Sequence, residues 1–417
     1  MERNTQRVKS YLRFIYAVPL SIAFIVMIVG FITANKIGSF LEVAPTAILF
    51  LSIAIPLRVF NEISSTVLQA VQRPFASSLG FNVIEKAVLI IATYIVAVNR
   101  YDLTGVIIGM TIAIATSALY HTISNRSFIL RAMTGIQGPK ADMQTWISFS
   151  TPLLIAGVFT YVLNWTGNLF IAAFLERSDL GIYGIAFSFS NYLIMIPATM
   201  VSLFVPVASR MLDKRKKLAQ VFTRIRTWSF IIVTFLSSVL IFFPEEILVT
   251  LYGAPYAAGK LSLQILALGF LLSTYVSYGN TILYLEKKTQ TILYVTAGSA
   301  LLNVALTMLL INIWPTITAV AISSATSFFI ARLVEYCISR NYLVAEHETK
   351  KIALIVCSGF ASAILAKQAY TAFAGIPLLA IGLAAVIYAT IFVIALVKTR
   401  SVTHADKQII IALVNGK

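Results

Sequence analysis

Charged side chains are scarce in this sequence. Asp, Glu, Lys and Arg make up 12% of its 417 residues, whereas hydrophobic residues make up 59%. Soluble domains carry about twice that charged fraction. Uncharged runs of about twenty residues or more recur along the chain and are typical of membrane-spanning helices, while the alternating segments of about ten residues that mark outer-membrane barrels are missing. We therefore expect an all-α, polytopic membrane protein.

Groups that enzymes use for catalysis are also few and scattered. Cys337 and Cys357 both lie in apolar runs and give no disulfide or metal framework. The histidines His121, His347 and His404 are far apart in the sequence, and no paired carboxylates, nucleophile with a base or glycine-rich phosphate loop can be assembled. We therefore expect no enzymatic activity, no ATP hydrolysis, no metal and no cofactor. Coupling to a proton or sodium gradient is left open.

The chain is organised around an uncharged stretch between 145 and 209, which the polar segment 176–179 divides into two arms. Each arm has about thirty residues, and at ~1.5 Å per residue it outruns the ~30 Å hydrocarbon core. The pattern predicts a transmembrane hairpin. An amide at membrane depth is costly unless it faces protein or water, so one face of the hairpin is expected to meet polar surroundings. The polar side chains concerned are Asn164, Thr166, Asn168 and Asn191.

Twelve apolar segments are predicted membrane spans. The second contains Pro56 and Arg58, and Glu85 and Lys86 interrupt the third. A proline inside a helix is a common cause of a kink, so the second span is expected to bend or to run past the membrane surface. The predicted spans are 11–34, 43–72, 76–98, 103–124, 146–175, 180–209, 227–250, 261–285, 289–312, 316–339, 352–372 and 376–397.

Basic residues cluster on one side of these spans. With the N-terminus in the cytoplasm, the inner segments carry most of the lysines and arginines and the outer loops carry few, as the positive-inside rule requires. No small-residue cleavage site is evident in the N-terminal region, so we expect the first span to be retained and both termini to be cytoplasmic. This bias explains the net charge of +16 without a nucleic acid. The richest inner segment, interpreted as a loop that contacts anionic lipids, holds Arg210, Lys214, Arg215, Lys216, Lys217, Arg224 and Arg226.

An internal repeat relates the two halves of the chain. Residues 51–74 align without a gap on residues 266–289, a displacement of 215 positions, and residues 103–109 align on residues 317–323 at a displacement of 214. The spacing of four spans and their basic inner ends is preserved. Parallel repeats of this kind are a transporter architecture.

The repeat predicts three domains. Residues 1–140 form an incomplete lobe of four helices, residues 141–345 a lobe of six, and residues 346–417 a helix pair with a tail. The first lobe is expected to lack its first two helices. A wrong start site, a shortened paralogue and a non-functional gene would each give this pattern.

The hairpin segment from Asn168 to Leu175 is followed by the run Leu180–Tyr183. This pattern resembles the first hairpin of a lobe in the polysaccharide flippases, which belong to the multidrug/oligosaccharidyl-lipid/polysaccharide exporter superfamily. The family often has an acidic residue where this chain has Asn168. Further similar segments are Val205–Ser209, Phe243–Tyr256 and the position of Asn303.

The resemblance implies a carrier that flips a lipid-linked oligosaccharide or polysaccharide precursor across the cytoplasmic (inner) membrane by alternating access of two lobes. The implied partners are the lipid-linked glycan, the bilayer and glycan-assembly enzymes, and no nucleic acid. A pyrophosphate-linked glycan has an anionic, hydroxylated head, which hydroxyls, amides and buried basic groups can bind.

Ionisable residues inside the predicted spans are the first candidates for substrate binding. Arg58 and Glu62 lie four residues apart on one helix face, so Arg58 could bind the pyrophosphate and Glu62 could tune it, or the two could form an ion pair near the inner surface. The adjacent residues Glu85 and Lys86 should point about 100° apart, so that one lines a cavity or contacts a neighbouring helix. Arg332 and Glu335 at an inner helix end, and Lys367 at an outer one, are expected to snorkel to the membrane surface.

The hairpin supplies the other candidates. Asn164 and Asn168 share a face and Asn191 lies on the partner arm, so these amides could bind substrate or join the helices by hydrogen bonds. Tyr161 could stack on a sugar or pack as an interfacial aromatic residue.

Three other functions stay open on the sequence. A related multidrug cation exporter would favour acidic and aromatic cavity residues, whereas the spans here include Arg58 and Lys86. A glycan polymerase or glycosyltransferase would need a large outer loop, and the outer loops here are short. A truncated, non-transporting membrane scaffold is the third.

Overall fold

The computed structural model describes residues 2–41, 43–71, 73–133, 140–209, 214–343, 349–372 and 377–398, which are mostly helical and contain no strand. Eleven helices of this part of the chain are long and apolar enough to cross a membrane, and the shorter apolar helix Ala384–Lys398 corresponds to the last predicted span. The all-α, polytopic fold class is therefore confirmed. Arg210, His347 and His404 lie outside the described residues.

The helices follow one another with short connections. Their bounds are α1 Glu2–Leu41, α2 Pro45–Ala70, α3 Pro74–Ser78, a π-helical turn Leu79–Ile84, α4 Glu85–Val98, α5 Leu103–Met133, α6 Lys140–Phe174, α7 Arg177–Ser209, α8 Arg215–Phe242, α9 Pro244–Tyr252, a 3₁₀ helix Ala254–Gly259, α10 Lys260–Tyr275, α11 Gly279–Leu285, α12 Thr289–Ile313, α13 Ile317–Ser339, α14 Thr349–Ala372 and α15 Pro377–Lys398.

The chain divides into two compact units, Met1–Thr145 and Trp146–Lys417. The first unit ends close to the predicted domain boundary at 140. The predicted domains 141–345 and 346–417 both lie in the second unit, and the division between them stays a prediction.

In the first unit α1, α2 and α5 pack on one another, and α4 packs on α5. Leu12 and Val67 are buried in a small apolar core between these helices. The outside of α4 is apolar: Ile90, Ile91 and Tyr94 are 69%, 59% and 69% exposed. Such a surface suits contact with lipid, where exposed apolar side chains carry no cost.

In the second unit the core lies between α6, α7, α8, α10 and α13. The ring of Phe270 is fully buried there and meets the rings of Phe187 and Phe328 edge-on, at centroid distances of 6.1 and 5.3 Å. Tyr183 is buried beside them, and its hydroxyl lies 3.0 Å from Ser324 Oγ. The last helix pair joins this core because α14 packs on α8, and Tyr388 of α15 donates to the Phe235 carbonyl at 2.7 Å.

Two predicted spans are interrupted in the structure. The span predicted at 227–250 ends at Phe242, since Pro244 cannot continue the hydrogen-bond ladder and instead begins α9. The span predicted at 261–285 is interrupted after Tyr275 and resumes as α11 at Gly279.

The basic segment predicted as a loop at 210–226 is largely helical. Helix α8 begins at Arg215, and Lys216 and Lys217 on its first turn are exposed. Arg226 lies three turns inside the helix and is only 3% exposed, with its guanidinium 5.6 Å from the Tyr275 ring centroid. The prediction of a loop was therefore wrong for this part of the segment, because the apolar face of α8 extends back past Phe222 to Leu218.

The helix bounds agree with the sequence repeat. Helix α2 spans 45–70, and the segment from α10 to α11 spans 260–285. The segment from α3 to α4 spans 74–98, and α12 spans 289–313. Each of these bounds is displaced by 215 positions. The first residues of α5 and α13 are 214 positions apart. The repeat therefore operates on whole helices, including their ends.

Candidate functional site

The first unit holds an ionic cluster, which we define as Arg58, Glu62, Glu85 and Lys86. Arg58 Nη1 donates to both Glu85 oxygens, at 2.9 and 3.1 Å. Lys86 Nζ lies 3.3 Å from Glu85 Oε1, and Arg58 Nη2 lies 3.4 Å from Glu62 Oε1. The four residues predicted from these two spans therefore meet in one place.

Three helical segments position the cluster. Arg58 and Glu62 lie one turn apart on α2, and Glu85 is the first residue of α4, directly after the π-helical turn. Single π-helical turns occur often at functional sites. Phe81 of that turn lies against Arg58, whose guanidinium carbon is 4.6 Å from the ring centroid. Arg58 is thus held by a carboxylate and an aromatic face together.

One feature of this cluster differs from the expectation. Arg58 lies near the middle of the helical segment Pro45–Ala70 and Glu85 near the middle of the segment Phe75–Val98, so the pair joins two mid-helix positions. Glu85 and Lys86 were expected to point apart. Instead the flexible lysine side chain returns to its neighbour's carboxylate.

Exposure divides the cluster into a buried anion and accessible cations. The Glu85 side chain is 5% exposed, whereas those of Arg58, Lys86 and Glu62 are 42%, 53% and 61% exposed. The carboxylate of Glu85 therefore anchors two cations whose remaining N–H donors are accessible. The formal charges of the four groups cancel.

A buried hydrogen-bond network lies beside the cluster. His121 Nδ1 is 3.2 Å from Asn61 Oδ1, and Asn61 Nδ2 donates to the Ile114 carbonyl at 3.1 Å. Ser117 donates to the Gly80 carbonyl at 3.1 Å. A Cβ at Gly80 would lie 2.5 Å from the imidazole, so only glycine allows the π-helical turn to approach α5 this closely. The network fixes the turn that carries Phe81 and precedes Glu85.

The hairpin candidates lie in the second unit, on α6 and α7. Asn164 Nδ2 donates to the Thr160 carbonyl of its own helix at 2.8 Å, so the expected bond across the hairpin is not the one it makes. Asn168 and Asn191 are half-buried, and Asn168 Oδ1 has no hydrogen-bond partner among the described residues. Tyr161 is 67% exposed and stacks on Trp165 at a centroid distance of 5.9 Å.

A different asparagine connects the hairpin to its neighbours. Asn303 of α12 is fully buried and donates to the Leu163 carbonyl of α6 at 3.1 Å. Its Oδ1 accepts from Thr307 at 3.0 Å, and Thr307 in turn lies 2.7 Å from Ser323 of α13. Asn303 was noted from the family resemblance alone. Its contacts give it a structural role in holding α6.

The expectation that Glu335 snorkels to the membrane surface was wrong. The Glu335 side chain is 3% exposed, pairs with Arg332 at 2.6 Å and accepts from Asn280 at 2.7 Å, so it is held inside the second unit. Lys367 forms an ion pair with Glu246 at the start of α9, and its snorkelling to the outer surface stays a prediction. Sequence reasoning missed Asn280. The adjacent Gly279 was the sequence signal, because a glycine inside a predicted span can mark a close approach between two helices.

The described part of the chain contains no recognisable metal site. No group of three or more His, Cys, Asp or Glu side chains there is arranged to hold a metal ion.

Comparisons with known proteins identify the family and the fold. Residues 2–258 match the family model described as polysaccharide biosynthesis protein. No curated protein matches the sequence.

Solved structures with a similar fold are MATE transporters. A MATE in the straight conformation has a TM-score of 0.57 and 12% identity, covering 85% of this chain and 84% of that one. The Vibrio cholerae MATE transporter VcmN in the bent form has a TM-score of 0.58 and 12% identity, covering 84% and 80%. A multidrug resistance MATE family transporter of the MOP superfamily, in an outward-facing conformation, has a TM-score of 0.51 and 12% identity, covering 85% and 83%.

At these identities the structural likeness establishes the fold, and the family model establishes the family, which together confirm the resemblance seen in the sequence. The chain is a multi-pass membrane protein with the MATE transporter fold, and it belongs to the polysaccharide biosynthesis protein family.

Proposed function

We propose that the protein is a non-enzymatic carrier that flips a lipid-linked oligosaccharide across the cytoplasmic membrane by alternating access. One combination carries the proposal: a chain of a polysaccharide biosynthesis family has the fold of membrane transporters. A carrier of this kind would receive its substrate from glycan-assembly enzymes. The solved MATE structures in straight and bent conformations are consistent with a fold that changes shape during transport.

The ionic cluster suits the anionic head of such a substrate. A pyrophosphate needs N–H donors, and charge-assisted hydrogen bonds from guanidinium and ammonium groups are the strong ones. Arg58 and Lys86 keep about half of their side-chain surface accessible while Glu85 holds both from the buried side. We assign the head-group contacts to these two cations.

Glu62 is the group that the pyrophosphate would displace. Its contact with Arg58 is long, at 3.4 Å, and both side chains are accessible. Exposed pairs of this kind contribute ~0.2–1 kcal/mol, which a bidentate phosphate contact exceeds. Glu85 would stay in place, because a buried carboxylate that loses its cations would be left uncompensated.

The test is transport by purified protein in liposomes. A fluorescent polyprenyl-pyrophosphate glycan is added, and its arrival at the opposite face is measured with a membrane-impermeant quencher. We expect Arg58→Ala to slow transport roughly tenfold or more, and Arg58→Lys to be intermediate because lysine cannot bind phosphate through a planar pair of donors. Lys36→Ala, an exposed cation of α1 outside the cluster, is the matched control and should transport normally.

The outcomes separate the alternatives. Normal transport by Arg58→Ala at equal protein level would remove Arg58 from the site. If the wild-type protein moves no glycan, the result would favour the non-transporting membrane scaffold.

Export of lipophilic cations is the second candidate, because a multidrug transporter is among the proteins that share the fold. The described charges favour the glycan, since the buried acid Glu85 is already bound to two cations. Ethidium movement in the same liposomes, with no glycan movement, would favour the multidrug alternative.

A further inference from the structure

A cavity of about 260 Å³ lies inside the second unit, between α6, α11, α12 and α13. Its walls come from the first half of α6, the start of α12, the second half of α13 and the short helix α11. These segments belong to the same end of the helix bundle, because consecutive spans run antiparallel. Thr160 is exposed and Arg332 is partly exposed, so a ligand can reach both, whereas Glu335 is buried.

The polar end of the cavity is rigidly built. Glu335 accepts from Asn280 at 2.7 Å and from Arg332 at 2.6 Å. Gly279 makes this possible: a Cβ there would lie 2.5 Å from the backbone of Glu335 and Tyr336. Only a glycine lets α11 approach α13 closely enough for Asn280 to reach the buried carboxylate. The polar groups are therefore fixed before any ligand arrives.

The lining is electrically neutral and rich in both donors and acceptors. Among the described residues that line the cavity, the one cation, Arg332, and the one anion, Glu335, cancel each other. Thr160 and Thr296 donate their hydroxyl protons to their own helices, to the Ala156 and Ile292 carbonyls, both at 2.8 Å. Their oxygens are left to accept hydrogen bonds from a ligand, and the arginine has further N–H groups to donate.

The rest of the lining is apolar and includes Leu153, Leu163 and Phe328. A ligand for this cavity should therefore have one hydroxylated edge, one C–H face and no net charge. At about 30 Å³ per water molecule the space corresponds to roughly nine waters, which is room for one monosaccharide ring.

We propose that this cavity binds one uncharged sugar ring of the glycan that the carrier moves. The inference deepens the proposed function and places a saccharide subsite within the second unit, separate from the head-group contacts of the ionic cluster. The sugar hydroxyls meet Arg332, Thr160 and Thr296, and its C–H face meets Phe328.

The test is photo-crosslinking of the purified full-length protein, which needs no transport. The probe is a neutral hexoside that carries a diazirine, and mass spectrometry locates the labelled peptides. We expect labelling of α6, α12 and α13, competed by excess methyl hexoside and not by a uronic acid or inorganic pyrophosphate, because the lining offers no net positive charge.

Two isosteric variants probe the subsite without breaking the ion pair. Thr160→Val and Thr296→Val should each weaken probe labelling about fivefold, the factor expected for one lost hydrogen bond. Thr93→Val is the matched control, since its hydroxyl also donates to its own helix, to the Leu89 carbonyl at 2.7 Å, but belongs to the first unit. It should label like the wild type.

Labelling spread over all helices, competition by pyrophosphate instead of hexoside, or unchanged labelling in both cavity variants would overturn the inference. These outcomes are distinguishable from failure of the proposed function. A protein that moves no glycan but labels this cavity would keep the saccharide site and lose the carrier, whereas the reverse result would keep only the carrier.

Discussion

Glu85 determines how the neighbouring cations behave. Two cations reach one carboxylate that water hardly touches, so the acid stabilises their positions and limits their rotation. Removing one partner of a buried ion pair leaves an uncompensated charge and is strongly destabilising. The accessible Glu62 makes a weaker contribution because solvent screens its contact.

The two acids of the cluster should therefore respond differently to neutralisation. We expect Glu85→Gln to lower stability by about 1–3 kcal/mol, whereas Glu62→Gln should change it by less than about 0.5 kcal/mol. Thermal unfolding of the detergent-solubilised variants, followed by size-exclusion chromatography, measures the difference. Equal melting temperatures would show that Glu85 does not anchor the cluster.

Helix positions were largely predictable from the sequence because lipid imposes long apolar runs. The spans predicted at 289–312 and 316–339 agree with α12 and α13 to within a residue at each end. Helix interruptions were less predictable. The break before α9 follows from Pro244, but the one after Tyr275 arises because α11 must approach α13, a tertiary requirement.

The candidate site was predicted in part for the same reason. Arg58, Glu62, Glu85 and Lys86 stood out because each is an ionisable residue in an apolar run. The contact between Asn280 and Glu335 joins residues 55 positions apart on different helices, and no local pattern indicates that they meet. Sequence periodicity gives the face of a helix, whereas the partner on the next helix depends on packing.

The approach of α11 to α13 gives a test at the level of the helices. Gly279→Ala would place a methyl group against backbone atoms that cannot move aside, so we expect separation of the helices and a stability loss of about 1–3 kcal/mol. Gly298→Ala on α12 is the matched control, because a Cβ there has nothing within 4 Å. Replacing an unconstrained helical glycine should be neutral or stabilising by up to about 1 kcal/mol.

Thermal melting of the Gly279 and Gly298 variants measures this difference. Equal melting temperatures would show that the close approach of α11 to α13 does not contribute to stability. The Gly279 variant should also lose hexoside labelling of the cavity, because Asn280 would no longer hold Glu335 in place.

At the scale of the whole molecule, the internal repeat preserves the positions of the helix ends but not the buried polar residues. Position 121 of α5 and position 335 of α13 correspond at a displacement of 214. One is a histidine bound to Asn61, and the other is a glutamate bound to Asn280. The two units therefore use the same order of helices but bury different polar groups. This difference is consistent with an ionic cluster in the first unit and a cavity lined by neutral and paired groups in the second.

The topology predicts which surfaces face the outside of the cell. In a background with Cys337 and Cys357 replaced by serine, we expect a cysteine at Ser178 to react with a membrane-impermeant maleimide in intact cells. A cysteine at Lys216 should react only after the cells are opened. Both residues are exposed, so access to the reagent and not burial decides the result. The opposite labelling pattern would invert the orientation.

The ion pair at mid-span also has a consequence for biogenesis. An acidic side chain at the centre of an isolated transmembrane helix costs about 2.5–3.5 kcal/mol during insertion. Helix α2 leaves the ribosome before α4, so Arg58 is already available when Glu85 arrives. The helices that carry Arg58 and Glu85 should therefore enter the bilayer together. A nascent chain without Arg58 would retain its third span in the translocon for longer.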